Sequence, residues 1–224
     1  MRNLLAASAA ILMISGLNTA QADEGWPELF RTAVADFDGE NQPHSYEMTV
    51  TRSTGDVLYS YAFDPSEDEP IQISDRSDDI SEADLRQSLV EEDGDIWCDG
   101  MAERVLGDVE LVSEDAETAT FSFTPTAPPD ADDMERLVIE RTTGTMVIDK
   151  QSEQIRSFSY HLQESFKPVI VARVHAFDLQ GACVASASGR AYLSELTIAI
   201  DVSAMGMRQT ETTIQRVENV EAAL

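Results

Sequence analysis

Basic residues are scarce in this chain. Fifteen Lys and Arg stand against 42 Asp and Glu, and the formal net charge at neutral pH is −27. An excess of that size repels phosphate backbones and anionic membrane surfaces, which excludes nucleic acid as a partner. Histidine is scarcer still, with three residues, His44, His161 and His175. His161 and His175 fall on neighbouring predicted strands. A hairpin turning near Phe166-Lys167 would pair His161 with Ala172 and leave His175 out of register, so no two-histidine metal site is assigned. No GxSxG elbow is present and no serine has a base nearby in sequence, which removes the usual serine triad. The two cysteines form no CxxC pair and have no neighbouring histidine, so neither is read as a catalytic thiol. No apolar run reaches the twenty or so residues of a membrane span. There is no fixed-period repeat and no interdomain linker.

What is present begins with a leader pattern. Met1-Arg2-Asn3 is a short positive start, Leu4 to Leu17 is apolar, and Ala20-Gln21-Ala22 offers small residues to a signal peptidase. Residues 1–22 are read as a signal peptide and residues 23–224 as one β-rich domain, located in the periplasm or secreted. No cysteine directly follows the apolar run, so no lipid anchor is expected. In an oxidising compartment Cys98 and Cys183, each beside turn residues, are predicted to form a disulfide.

Period-two alternation dominates the rest. In Arg190–Val202, Tyr192, Leu196, Ile198, Ile200 and Val202 share one parity, the mark of a long strand with one buried face. Ser45–Arg52 and Val57–Phe63 alternate likewise around a polar turn and form a hairpin, followed by a short edge strand at Ile71–Ser74. Asp108–Ser113 and Thr118–Thr124 form a second hairpin, and Arg136–Arg141, Gly144–Asp149 and Gln154–Leu162 follow. Pro168–Phe177 is apolar on both parities and reads as a strand covered on both faces. Turns are expected at Leu179–Gly181, Ser186–Gly189 and Ser203–Gly206. Two amphipathic helices are predicted, Trp26–Phe37 and Ser81–Glu92, the latter capped by Ser81. The sum is a mainly β fold: a single antiparallel meander of about ten strands curled into an open half-barrel, with two helices.

Metal chemistry is poorly supported. Asp36, Asp38, Glu40 and Glu47 match the oxygen spacing of a calcium loop, but Asn41 occupies the glycine position and Pro43 stiffens the exit. No metal site or cofactor is assigned. The acidic clusters at 64–69, 75–84, 91–99 and 130–135 are read as solvated surface.

Function is sought in the shape instead. Leu29, Phe30 and Val34 of the first helix are expected to face Phe121, Phe123, Phe158, Tyr160, Leu196, Ile198 and Ile200 of the sheet across an apolar cleft. With its export signal, N-terminal helix, strand meander, GTMVIDKQSEQI, FKPVIVARV and GRAYLSELTIAI, the chain resembles the periplasmic lipoprotein-carrier superfamily, the LolA/LolB-like fold. That resemblance implies an unclosed barrel with helical lids that encloses acyl chains, and so a non-enzymatic carrier of lipid or lipoprotein. A β-rich interaction or scaffold domain without a small ligand is the alternative, favoured by a filled core. An unrecognised hydrolase is the second, favoured by a polar cleft with perturbed carboxylates.

The charge makes its own prediction. Screening relieves self-repulsion, so the melting temperature at neutral pH should rise from low to high sodium chloride. A melting point indifferent to salt would mean that the acids are locally compensated.

Overall fold

The computed structural model describes residues 25–39, 43–91, 96–127 and 131–223, and the expected leader at residues 1–22 lies outside them. In chain order the elements are α1 (Glu28–Val34), β1 (His44–Arg52), β2 (Val57–Phe63), β3 (Ile71–Arg76), α2 (Glu82–Glu91), β4 (Val105–Glu114), β5 (Thr118–Pro125) and α3 (Asp133–Ile139). There follow β6 (Thr142–Asp149), β7 (Ile155–Leu162), β8 (Phe166–Val169), β9 (Ala172–Ala185), β10 (Ala191–Ala204) and β11 (Met207–Ala222). Burial alternates residue by residue along β5 and β6, as a sheet with one covered face requires.

The strands form one eleven-stranded antiparallel sheet that does not close into a barrel, ordered β3-β2-β1-β11-β10-β9-β7-β6-β5-β4 with β8 on β9. This is a meander that curls until its first strand meets its last. β1 pairs with β11 from His44–Ala222 to Arg52–Thr213. The consecutive strands β3 and β4 are left as the two edges, and the seam falls between them. The connection there is no tight turn. It carries α2 and an irregular segment ending in a 3-10 turn, Met101–Arg104.

Several expected boundaries move. α1 is shorter than Trp26–Phe37. A third helix, α3, replaces the strand predicted at Arg136–Arg141. Its cap explains the difference: the Asp132 carboxylate accepts from the amides of Met134 and Glu135, both at 2.7 Å. Pro168–Phe177 is not one strand, because Ile170 and Val171 form the turn between β8 and β9. The turn expected at Leu179–Gly181 does not exist, and β9 runs through it. His161 therefore pairs with Asp178 rather than Ala172.

Gly181 is needed for contact, not for a turn. It lies opposite Phe158, and a Cβ there would come 2.4 Å from that ring. Gly144 likewise lies beneath Phe123, at 2.5 Å. The two glycines let the rings lie flat on neighbouring strands.

Two apolar clusters fill the concave side. In one, Trp26, Phe30, Ala33 and Val34 pack against Phe121, Phe123, Met146, Ile148, Tyr160, Leu179 and Leu196. Phe30 meets the rings of Phe121 and Phe123 at centroid distances of 5.4 and 5.9 Å. In the other, Leu85 and Leu89 of α2 pack on Tyr46, Met48, Val50, Tyr59, Tyr61 and Val217.

The segment Ile96–Asp99 joins the two clusters. Ile96 belongs to the second and Cys98 to the first. Trp97 bridges to Tyr192 of β10, the Cys98 amide donates to the Ala191 carbonyl, and the Leu193 amide donates to the Ile96 carbonyl. Cys98 and Cys183 form the predicted disulfide, with Cα atoms 6.4 Å apart. Arg190 completes the clasp. Its guanidinium donates twice to the Asp99 carboxylate at 2.6 Å and stacks over Trp97 and Phe37 at 4.4 and 4.7 Å.

The disulfide closes a loop across a separation of 85 residues. Replacing both cysteines by serine should lower the unfolding free energy by about 4–5 kcal/mol in the loop-entropy account. Urea denaturation under non-reducing conditions measures it, and reduction of the unmodified protein should give the same loss.

Candidate functional site

The ten residues expected to line a cleft all belong to one cluster, and they divide into two groups. Phe30, Val34, Phe121, Phe123, Tyr160 and Leu196 are buried, whereas Leu29, Phe158, Ile198 and Ile200 are partly covered. Beneath α1 the interior is filled by the side chains themselves. Further along β10 the cover thins, and Ile198, Ile200 and Val202 form a half-buried stripe beside Leu179, Phe177 and Val174 of β9.

One residue near this region violates ordinary burial rules. Arg104, the last residue of the 3-10 turn, is 6% exposed, and its Nη1 has no hydrogen-bond partner. Its main-chain carbonyl accepts from Thr126, which fixes the turn against the end of β5. Met101, Ala102 and Val105 around it are buried. Its charge acts on the phenol of Tyr160, which burial pushes up to about 12 against the opposing pull of Arg104. Tyr160 stands beside Leu179, and Leu179 beside Ile198. The neighbouring Glu103 also has a buried oxygen, Oε1, without a hydrogen-bond partner, yet no ion pair joins the two among the described residues. A buried guanidinium lacking a carboxylate costs stability, since desolvation is not offset by an anion.

The opposite face of the sheet is polar. A shallow depression of about 360 Å³ lies over β6, β7, β9 and β10, lined by Thr145, Ser157, Ser159, Gln180, Glu195 and Thr197 among others. Glu195 is engaged by Arg216, whose Nε donates at 2.8 Å. His161 Nδ1 and Asp178 Oδ1 are 2.5 Å apart on this side, and His175 Nε2 lies 2.8 Å from Ser203 Oγ. The two histidines thus have separate partners. Among the described residues no three His, Cys, Asp or Glu side chains converge on a metal-sized site. Of the calcium-loop candidates, Glu40 lies outside the described residues, and Glu47 on β1 accepts from Asn219 Nδ2 at 2.8 Å.

The shifted carboxylates are held low by partners close to them in sequence. Ser66 holds Asp64 low, and the amides of Thr118 and Glu117 do the same for Asp115. The amides of Ser152 and Gln151, with Arg156, bring Asp149 to about 2. Arg208 lowers Asp201. All four are lowered, the wrong direction for a general acid at neutral pH. Asp64, Asp115 and Asp149 tie down turns.

Sequence reasoning gathered residues of one apolar cluster and did not single out the buried Arg104. The available signal was slight: one base between Met101-Ala102 and Val105-Leu106 in a segment that showed no periodicity.

No protein-family model matches the chain, and neither the curated proteins nor the solved structures compared with it give a match.

If Arg104 is an unpaired charge, an apolar side chain of similar length should relieve the fold. Arg104→Met is expected to raise the unfolding free energy by about 1–3 kcal/mol. A loss of stability in chemical denaturation would mean that the guanidinium is satisfied within the protein.

Proposed function

We propose that the protein binds an amphiphile with an acidic head, of the fatty-acid or phospholipid kind, and acts as a carrier rather than as an enzyme. The observation that carries this reading is the buried Arg104 guanidinium with its unpartnered Nη1. A carboxylate or phosphate placed there would supply the missing anion through charge-assisted hydrogen bonds. The tail would follow Ile198, Ile200 and Val202, where the apolar face is incompletely covered. Each methylene removed from water there would contribute about 0.8 kcal/mol. The resemblance to lipoprotein carriers agrees in kind, with one restriction. Phe30 and Val34 occupy the space beneath α1, so the acyl chain would lie beyond the helix and not under it.

The filled interior around Phe30 favours a second reading, an interaction domain without a small ligand. Titration of delipidated protein with a fluorescent long-chain fatty acid separates the two. The carrier reading expects saturable uptake, loss of uptake in Ile198→Glu, and affinity at least about tenfold weaker in Arg104→Met. The corresponding uncharged alcohol should bind no better to the unmodified protein than to Arg104→Met. Circular dichroism must show the β-fold in each variant. Absence of uptake by the unmodified protein would leave the interaction domain.

A further inference from the structure

Among the described residues the three most exposed large apolar side chains, Ile170, Met205 and Met207, lie at one place. The turn joining β8 to β9 is Ile170-Val171, and the turn joining β10 to β11 is Met205-Gly206. These turns are neighbours: the Met205 amide donates to the Val171 carbonyl at 3.0 Å. Ile170 is 95% exposed, Met205 79% and Met207 70%, and Val169 and Val171 are each more than half exposed. Packing therefore does not account for them.

Turn chemistry does not account for them either. Met205 and Gly206 have φ of 52° and 83°, the pair of positive values that two-residue hairpins meet with Asn, Asp or Gly. A methionine at the first of these positions is disfavoured, and Ile170-Val171 are not among the residues that turns usually take. Both turns carry aliphatic side chains where polar residues are usual, and at Met205 the backbone itself favours Asn, Asp or Gly.

Charge reverses here as well. The chain has 42 acidic residues among 224, yet residues 165–176 and 202–210 contain none and carry Lys167, Arg173 and Arg208. Arg208 is bound by Asp201. Arg173 donates to the neutral Ser165 hydroxyl, and neither it nor Lys167 makes an ion pair among the described residues. The acids that flank these segments are Glu164, Asp178, Asp201 and Glu211.

We propose that this double-hairpin tip inserts into the surface of a phospholipid bilayer, with Ile170 and Met205 entering the interface and Lys167 and Arg173 meeting headgroup phosphates. An apolar point flanked by Lys167 and Arg173, with no carboxylate in either turn, matches that chemistry. A second copy of the chain fits less well, because five apolar side chains fall far short of the roughly 20–30 residues a side that a stable protein interface uses. The acidic remainder disfavours any approach to a membrane except tip first, and favours zwitterionic over anionic lipid. This inference rests on the turns and is independent of Arg104.

The test is co-sedimentation of the full chain with vesicles of phosphatidylcholine and phosphatidylethanolamine at about 0.15 M salt. The unmodified protein should sediment with them. Ile170→Asn combined with Met205→Asn should reduce partitioning at least about tenfold while the melting temperature holds or rises, since Asn suits both turns. Fatty-acid uptake measured on the same variant keeps failure of the tip distinct from failure of the cleft. The proposal is overturned if the unmodified protein ignores these vesicles or the variant binds them equally. It is overturned too if binding requires phosphatidylglycerol and vanishes in high salt, or if sedimentation velocity shows a dimer that the variant abolishes in place of vesicle binding.

Discussion

The architecture depends on the clasp at the N-terminal end of β10. An antiparallel sheet that curls without closing has a weak place where its strands diverge. Here β11 leaves β10 after Arg216, while its far end continues along β1. The segment Ile96–Asp99 occupies that divergence, bonded to β10 by its backbone and to β9 through Cys183. Arg190 binds Asp99 and lies against two aromatic rings, so a single side chain holds the segment by charge and by contact. The 3-10 turn that buries Arg104 follows within a few residues. The placement of the unpaired guanidinium is thus a consequence of the clasp.

Acidity is arranged rather than merely abundant. At Asp64, Asp115 and Asp149 the carboxylates accept backbone amides in the connections after β2, β4 and β6, and each is held below its usual range. The folded form of each is favoured at neutral pH and loses that advantage as pH falls through and below the ordinary carboxylate range. One end of the long hairpins is kept clear of acid. The resulting polarity, carboxylates over the body and aliphatics with cations at a point, gives the molecule a direction.

The sheet was legible in the sequence because one covered face imposes period two. Tyr46, Met48 and Val50 on β1 and Leu196, Ile198 and Ile200 on β10 follow that rule. The errors lie where another constraint overrides it. Val138 and Ile139 could belong to strand or helix, and the Asp132 cap decides for α3. Gly181 looks like a turn residue but serves as the floor for the Phe158 ring. Ile170-Val171 looks like strand and is a turn. The disulfide could be anticipated from two cysteines and the expectation of an oxidising compartment. Arg104 could not, because burial of one side chain in an irregular segment depends on tertiary contacts that no periodicity encodes. The ten apolar residues fall in one cluster, but whether they enclose space depends on how closely Phe30 approaches the sheet.

The pairing of β1 with β11 has a temporal consequence. Thr51 donates its hydroxyl to the carbonyl of Ile214, at a sequence separation of 163. The strand between the two apolar clusters therefore pairs on one side with its neighbour in sequence and on the other with the start of the sheet. Without it, β1–β3 have no neighbour on one side and β10 has an open edge, so neither half can complete its hydrogen bonding. High contact order of this kind slows folding. The two halves of the sheet gain their full hydrogen bonding together, when β11 docks.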